Sequence, residues 1–194
     1  ITSILRLSTG ELLVGTYGGG LSIYNDKTDD FTSLVNDPND STTLSNNRVL
    51  AIYEDSLGFV WIGTEKGLNR LHQEKRTFQR YFSESNESNS LSSDIPWCFY
   101  EDTRGTLWIG TSGGGLNLWR REERKNSRTH IQQFFSDKST LPSSNIYGIQ
   151  GDAKGWIWVS HSKGLSRINP KTFATHHYGV RDGLQSNEFT LGAS

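Results

Sequence analysis

Residues 101–116 read Glu101-Asp102-Thr103-Arg104-Gly105-Thr106-Leu107-Trp108-Ile109-Gly110-Thr111-Ser112-Gly113-Gly114-Gly115-Leu116. The apolar run and its glycine turn recur three times. Leu12-Leu13-Val14-Gly15-Thr16, Val60-Trp61-Ile62-Gly63-Thr64 and, more loosely, Ile157-Trp158-Val159-Ser160-His161 each lead to a Gly-Leu pair. The pairs begin at Gly20, Gly67, Gly115 and Gly164, in steps of 47, 48 and 49 residues. Upstream, Glu54-Asp55-Ser56-Leu57-Gly58 matches Glu101 to Gly105, and Gly151-Asp152-Ala153-Lys154-Gly155 matches in part. Self-similarity at a fixed period of this length is the mark of a repeat architecture.

One copy reads as four short strands. Val49–Tyr53 is an apolar run. Asp55-x-x-Gly58 is a tight turn, because Asp at the first position accepts from the backbone and Gly suits the last. Phe59–Thr64 is aromatic and β-branched, as strands are. Leu68–Leu71 and Phe78–Phe82 follow, each after a turn. Four antiparallel strands per copy, at about 48 residues apiece, is the period of a propeller blade. Central strands such as Val60-Trp61-Ile62 are apolar on both sides because each sheet packs between neighbours, and Gly63 and Gly110 belong where those neighbours come closest. No helical periodicity is present. The expected fold is all-β, a partial β-propeller over 1–194, with copies near 1–35, 47–82, 94–135 and 144–178 and a further blade starting over 182–194.

Composition agrees. Of 194 residues, 20 are Gly and 22 are aromatic, against 33% hydrophobic overall, which suits many turns and short strands. A net charge of −1 argues against a nucleic-acid partner. No run is long and apolar enough to span a membrane, and the single Cys98 excludes an internal disulfide framework. The chain holds no Met and opens Ile1-Thr2-Ser3; together with four copies and a fifth beginning, that reads as a portion of a longer protein.

The pattern Glu-Asp-x-x-Gly-x-Leu/Val-Trp-Ile-Gly-Thr-x-x-Gly-Leu resembles the two-component regulator propeller repeat. The resemblance is strong over 49–82 and 96–135. It is partial in the first copy, where Leu13 stands for Trp, and in the fourth, where Ser160-His161 stand for Gly-Thr. Asp182 to Phe189 is similar to the stretch that opens a last blade in that family. The resemblance implies the sensor ectodomain of a bacterial hybrid two-component system or a related membrane signalling protein. It would lie on the periplasmic or extracellular face of a membrane-anchored parent that carries a histidine kinase or other output. The Trp-Asp ending of WD40 repeats is missing, and the glycines follow the aromatics, unlike kelch repeats.

Catalytic chemistry finds little purchase. Glu54-Asp55 and Glu101-Asp102 recur once per copy, as turn residues do and catalytic pairs do not. The glycine triplets lack the Lys-Ser/Thr and helix of a phosphate loop. His176 and His177 alternate along a strand and point to opposite faces, poor for a shared metal. Cys98 aligns with Ala51 and Gly148, a small buried position without reactivity. No cofactor or metal is expected. Loops between blades and between second and third strands share one face, which carries Tyr17, Arg48, Trp97, Ser112, Tyr147 and His161, the candidate ligand residues, beside Glu65, Lys66, Asn145 and Ser162. Aromatic rings among polar groups suit a small polar ligand, with oligosaccharides among the candidates; Trp97 and Tyr147 as plain wall-filling residues are the competing reading. The function expected is a non-catalytic sensor domain that also self-associates through the uncovered faces of its end blades. A propeller lyase or glycosidase, or an interaction scaffold, is the alternative.

Overall fold

The computed structural model describes residues 1–126, 129–134, 141–186 and 189. Four antiparallel sheets of four strands follow in chain order. Blade 1 holds β1 (Ser3–Arg6), β2 (Leu12–Gly15), β3 (Leu21–Asn25) and β4 (Asp30–Leu34); blade 2 holds β5 (Val49–Glu54), β6 (Val60–Thr64), β7 (Gly67–His72) and β8 (Thr77–Tyr81). Blade 3 holds β9 (Pro96–Glu101), β10 (Leu107–Thr111), β11 (Leu116–Trp119) and β12 (Ile131–Phe134); blade 4 holds β13 (Ile146–Gly151), β14 (Ile157–His161), β15 (Gly164–Ile168) and β16 (Thr175–Tyr178). The fold is thus all-β, built of propeller blades. Two compact units divide it: Ile1–Ser83 with Asp94–Pro96, and Glu84–Ser93 with Trp97–Ser194.

In the first unit, β1 and β2 pack against β5. Leu13, Leu21 and Ile23 of blade 1 form one core with Val49, Ile62 and Phe78 of blade 2. The second unit repeats this: β10 packs against β13, and Trp108, Leu116 and Leu118 share a core with Ile146, Val159 and Ile168. Strands β6 and β10 are buried at every residue, as double-sided packing requires. Close approach is enforced by glycine. A Cβ on Gly15 would come within 2.6 Å of Val49 Cγ1, and one on Gly110 within 2.7 Å of Ile146 Cγ2.

The Asp-x-x-Gly turns form as the residues dictate. Gly58 N–H donates to Asp55 O at 2.9 Å, with Gly58 at φ 76°, a region open to Gly at no steric cost. The Asp55 carboxylate accepts from Leu57 N–H and Phe59 N–H, then from the indole of Trp61.

One feature departs from expectation. A helix, α1 (Arg121–Lys125), interrupts blade 3 between β11 and β12. Its Arg-Glu-Glu-Arg-Lys run is made of good helix formers. It is anchored by Arg124, fully buried, which donates to Gly105 O, Trp119 O and Glu101 Oε1. Beyond β16 the chain makes a 3₁₀ turn over Val180–Asp182, closed by Gly183 at φ 95°, and no strand occurs among the described residues of 182–194. Residues 187–188 and 190–194 of that expected further blade lie outside the described residues.

Candidate functional site

In the first unit the β2–β3 loop lies along the segment that leads into β5. Gly18 and Gly20 N–H both donate to Asn47 O, Val49 N–H donates to Thr16 O, and Tyr17 bridges Arg48. Three side chains meet there. The Tyr17 hydroxyl donates to Glu65 Oε1 at 2.6 Å, Arg48 Nη1 donates to Glu65 Oε2 at 2.7 Å, and the Arg48 guanidinium lies 5.0 Å from the Tyr17 ring centre. Tyr17 is 59% exposed. The hydrogen bonds from Tyr17 and then Arg48 hold the Glu65 carboxyl below its ordinary range, and the same Tyr17–Glu65 bond raises the phenol. The cluster is a charged, solvent-facing aromatic platform.

The second unit carries neutral groups at the matching positions. Asn145 Oδ1 accepts from Ser112 Oγ at 3.3 Å and from Gly113 N–H at 2.9 Å, where the first unit sets Arg48 against Tyr17. Ser112 O accepts from Ser93 Oγ at 2.6 Å. Trp97 and Tyr147 lie with ring centres 5.8 Å apart, both partly buried. Tyr147 sits in the register shift between Ile146 and Gly148, a bulge that re-aims its side chain. The Trp97 indole N–H donates to Ile146 O, which ties it to the next blade's first strand.

His161 is elsewhere in character. It is fully buried in the position that Thr16, Thr64 and Thr111 hold in the other copies, where each hydroxyl donates to a turn carbonyl at 2.9 Å. Its Nδ1 accepts from Lys163 N–H at 3.2 Å, and its Nε2 lies 2.6 Å from Ser166 Oγ, itself 2.8 Å from His177 Nδ1. With Nδ1 an acceptor, the assigned tautomer carries its proton on Nε2, so the chain runs from His161 through Ser166 to His177. Burial first, then His177 and Lys163, pushes the His161 pKa down to about 4. The ring is therefore neutral at physiological pH and has both nitrogens occupied. Cys98 is likewise embedded, its thiol pushed up to about 12 by burial, which leaves no thiolate for chemistry. Among the described residues no three His, Cys, Asp or Glu converge as a metal site.

The structure thus brings together Tyr17 with Arg48, Trp97 with Tyr147, and Ser112 with Asn145, and it withdraws His161 from solvent. Sequence reasoning passed over the role of Glu65, which joins Tyr17 to Arg48. It also missed a pair of latches. Asn69 receives Ser45 N–H and donates to Ser45 Oγ, and Asn117 treats Ser92 in the same way. The recurrence of Leu44-Ser45 before Leu68-Asn69 and of Leu91-Ser92 before Leu116-Asn117, at spacings of 24 and 25 residues, was the available signal.

Residues 43–66 and 90–113 match the family model of the two component regulator propeller. Histidine kinase P4 of Formosa agariphila is 38% identical over 185 residues, a match that covers 93% of this chain and 13% of that protein. The extracellular domain of the hybrid two component system BT4673 from B. thetaiotaomicron is 27% identical with a TM-score of 0.76, over 91% of this chain and 24% of that one. The corresponding domain of BT3049 from the same organism is 25% identical with a TM-score of 0.75, over 95% of this chain and 24% of that one. This chain therefore spans less than a quarter of each of these relatives.

Proposed function

For this member of the two-component regulator propeller repeat family, we propose a non-catalytic sensor module that binds a small polar ligand outside the cytoplasmic membrane. The supporting observation is the Tyr17–Arg48–Glu65 cluster. It offers a stacking face, fixed donors and a fixed carboxylate on an exposed loop, the kit by which rigid scaffolds hold sugars and similar polar molecules. The displaced groups elsewhere, Cys98 and His161, are bound into the packing and serve no reaction. Likeness to extracellular domains of hybrid two-component systems supports a periplasmic or extracellular setting and a kinase output in the parent. Blades packed face to face have little internal freedom, so the signal passes as rigid-body rearrangement between two ectodomains. Self-association belongs to the same reading: Ile4 and Phe31, on one side of blade 1, are 61% and 53% exposed.

The test is calorimetric titration of the complete ectodomain with a panel of oligosaccharides. Tyr17→Ala and Arg48→Ala are each expected to weaken the bound sugar at least tenfold. Unchanged affinity in both variants overturns the site, and measurable turnover of any panel member overturns the non-catalytic reading. Sedimentation that finds only monomer at all concentrations removes self-association.

A further inference from the structure

In each unit a cleft of the same construction lies at the sheet ends away from that unit's own loop between second and third strands, β2–β3 in the first and β10–β11 in the second. The first, about 700 Å³, includes Ile23, Thr32 and Arg76. The second, about 570 Å³, includes Leu118, Gln132 and Phe173. Ile23 pairs with Thr32 across β3–β4 as Leu118 pairs with Gln132 across β11–β12. Arg76 and Phe173 hold the same place in the last hairpin of blades 2 and 4, at φ 54° and 59°. The two clefts are therefore one structural position seen twice, and their differences report what each is built to hold.

The first cleft is neutral. Its two cations, Arg6 and Arg76, share the lining with two carboxylates, Glu11 and Asp26, and Arg76 is clamped by both Glu11 oxygens at 2.9 and 2.5 Å. The second is cationic. Arg104, Arg120, Arg121 and Lys171 line it against Glu122 and Glu123. Arg104 reaches Pro170 O and Asp102, and Glu123 turns one oxygen to the Arg120 N–H and the other toward His130. The exposed Arg120 and Lys171 stand over the apolar floor of Leu118 and Phe173. Among the described residues helix α1 occurs in blade 3 alone; it brings Arg121, Glu122 and Glu123 to this position, and the cationic excess comes from Arg104, Arg120 and Lys171 around it.

We propose that the cleft formed by β11, β12, α1 and the β15–β16 turn binds an anionic group, a carboxylate or sulfate, of a ligand whose apolar side rests on Leu118 and Phe173. Arg and Lys supply charge-assisted donors to such a group, and the low-polarity floor strengthens them. This site is separate from the Tyr17 face and stands or falls independently of it.

Inorganic sulfate is the probe. The chain is titrated at constant ionic strength set with chloride, following the amide signals of Arg120, Arg121 and Lys171. Saturable shifts in the millimolar range are expected. The double variant Arg120→Ala/Lys171→Ala, both surface positions, is expected to weaken them at least tenfold, and Arg6→Ala in the matched neutral cleft is expected to change nothing. Absence of saturation, persistence in the double variant, or equal loss in Arg6→Ala overturns the proposal.

Discussion

Trp61 donates its indole N–H to Asp55 Oδ2 at 2.9 Å, across a turn of six residues, with both side chains almost wholly buried. Trp108 and Asp102 repeat the bond at 3.1 Å, and Trp158 and Asp152 at 2.9 Å. The Asp therefore ties its own turn to the central strand of its own blade.

Asp55→Ala leaves the indole and two turn amides without that acceptor. A buried donor stripped of its partner costs about 1–3 kcal/mol, so the unfolding free energy from urea titration is expected to fall by about that amount, with a correspondingly lower midpoint. Asp152→Ala, in a half-buried setting, is expected to cost about half as much. Equal midpoints for the Asp55 variant and the parent chain would remove the clasp from the account.

Gly110→Ala places a methyl against Cys98 Sγ and Ile146 Cγ2. Overpacking of this kind costs about 1–3 kcal/mol. Cys98→Gly combined with Gly110→Ala should recover part of the loss. A double variant no more stable than Gly110→Ala would show that the strain lies elsewhere.

Arg76 and Phe173, equivalent in position, secure their neighbours by different physics. Arg76 pairs with Glu11 at the surface, whereas the Phe173 ring sits 5.3 Å from Phe134 and 6.5 Å from Trp108. Arg76→Ala is expected to cost at most about 1 kcal/mol, and less in high salt. Phe173→Ala is expected to cost about 2–3 kcal/mol with little salt dependence. Thermal melts at two salt concentrations separate the two.

Stability should fall on mild acidification through His161. Its folded pKa of about 4 lies below the unfolded value of about 6.5. The unfolded chain thus takes a proton first as pH drops below 6.5, and the folded state loses ground until about pH 4. His177 is shifted in the same direction, by burial and then by His176. The urea-derived stability is expected to be about 1–2 kcal/mol lower at pH 5 than at pH 7.5 from this source. His161→Gln should flatten that part of the slope; an unchanged slope would contradict the assignment.

The blades were legible because their signals are local. An Asp-x-x-Gly turn, an apolar triplet and a Gly-Leu pair lie within sixteen residues, and their recurrence at 47 to 49 residues names the architecture without any long-range information. Helix α1 escaped because five residues are too few for a helical period to show, and because its anchor, Arg124, reads as one more surface charge until Glu101 is found beside it.

The character of the functional face was a different matter. Tyr17, Arg48 and Glu65 are far apart in the chain and meet only because one blade's loop lies against the next blade's entry segment. His161 reads as a loop histidine, yet it occupies a threonine's buried place, and burial alone decides that it stays neutral. The charge of the two clefts turns on which cations meet a carboxylate across the blade boundary. Burial and pairing depend on what packs alongside, and a repeat pattern says where a neighbour lies without saying which side chains it presents.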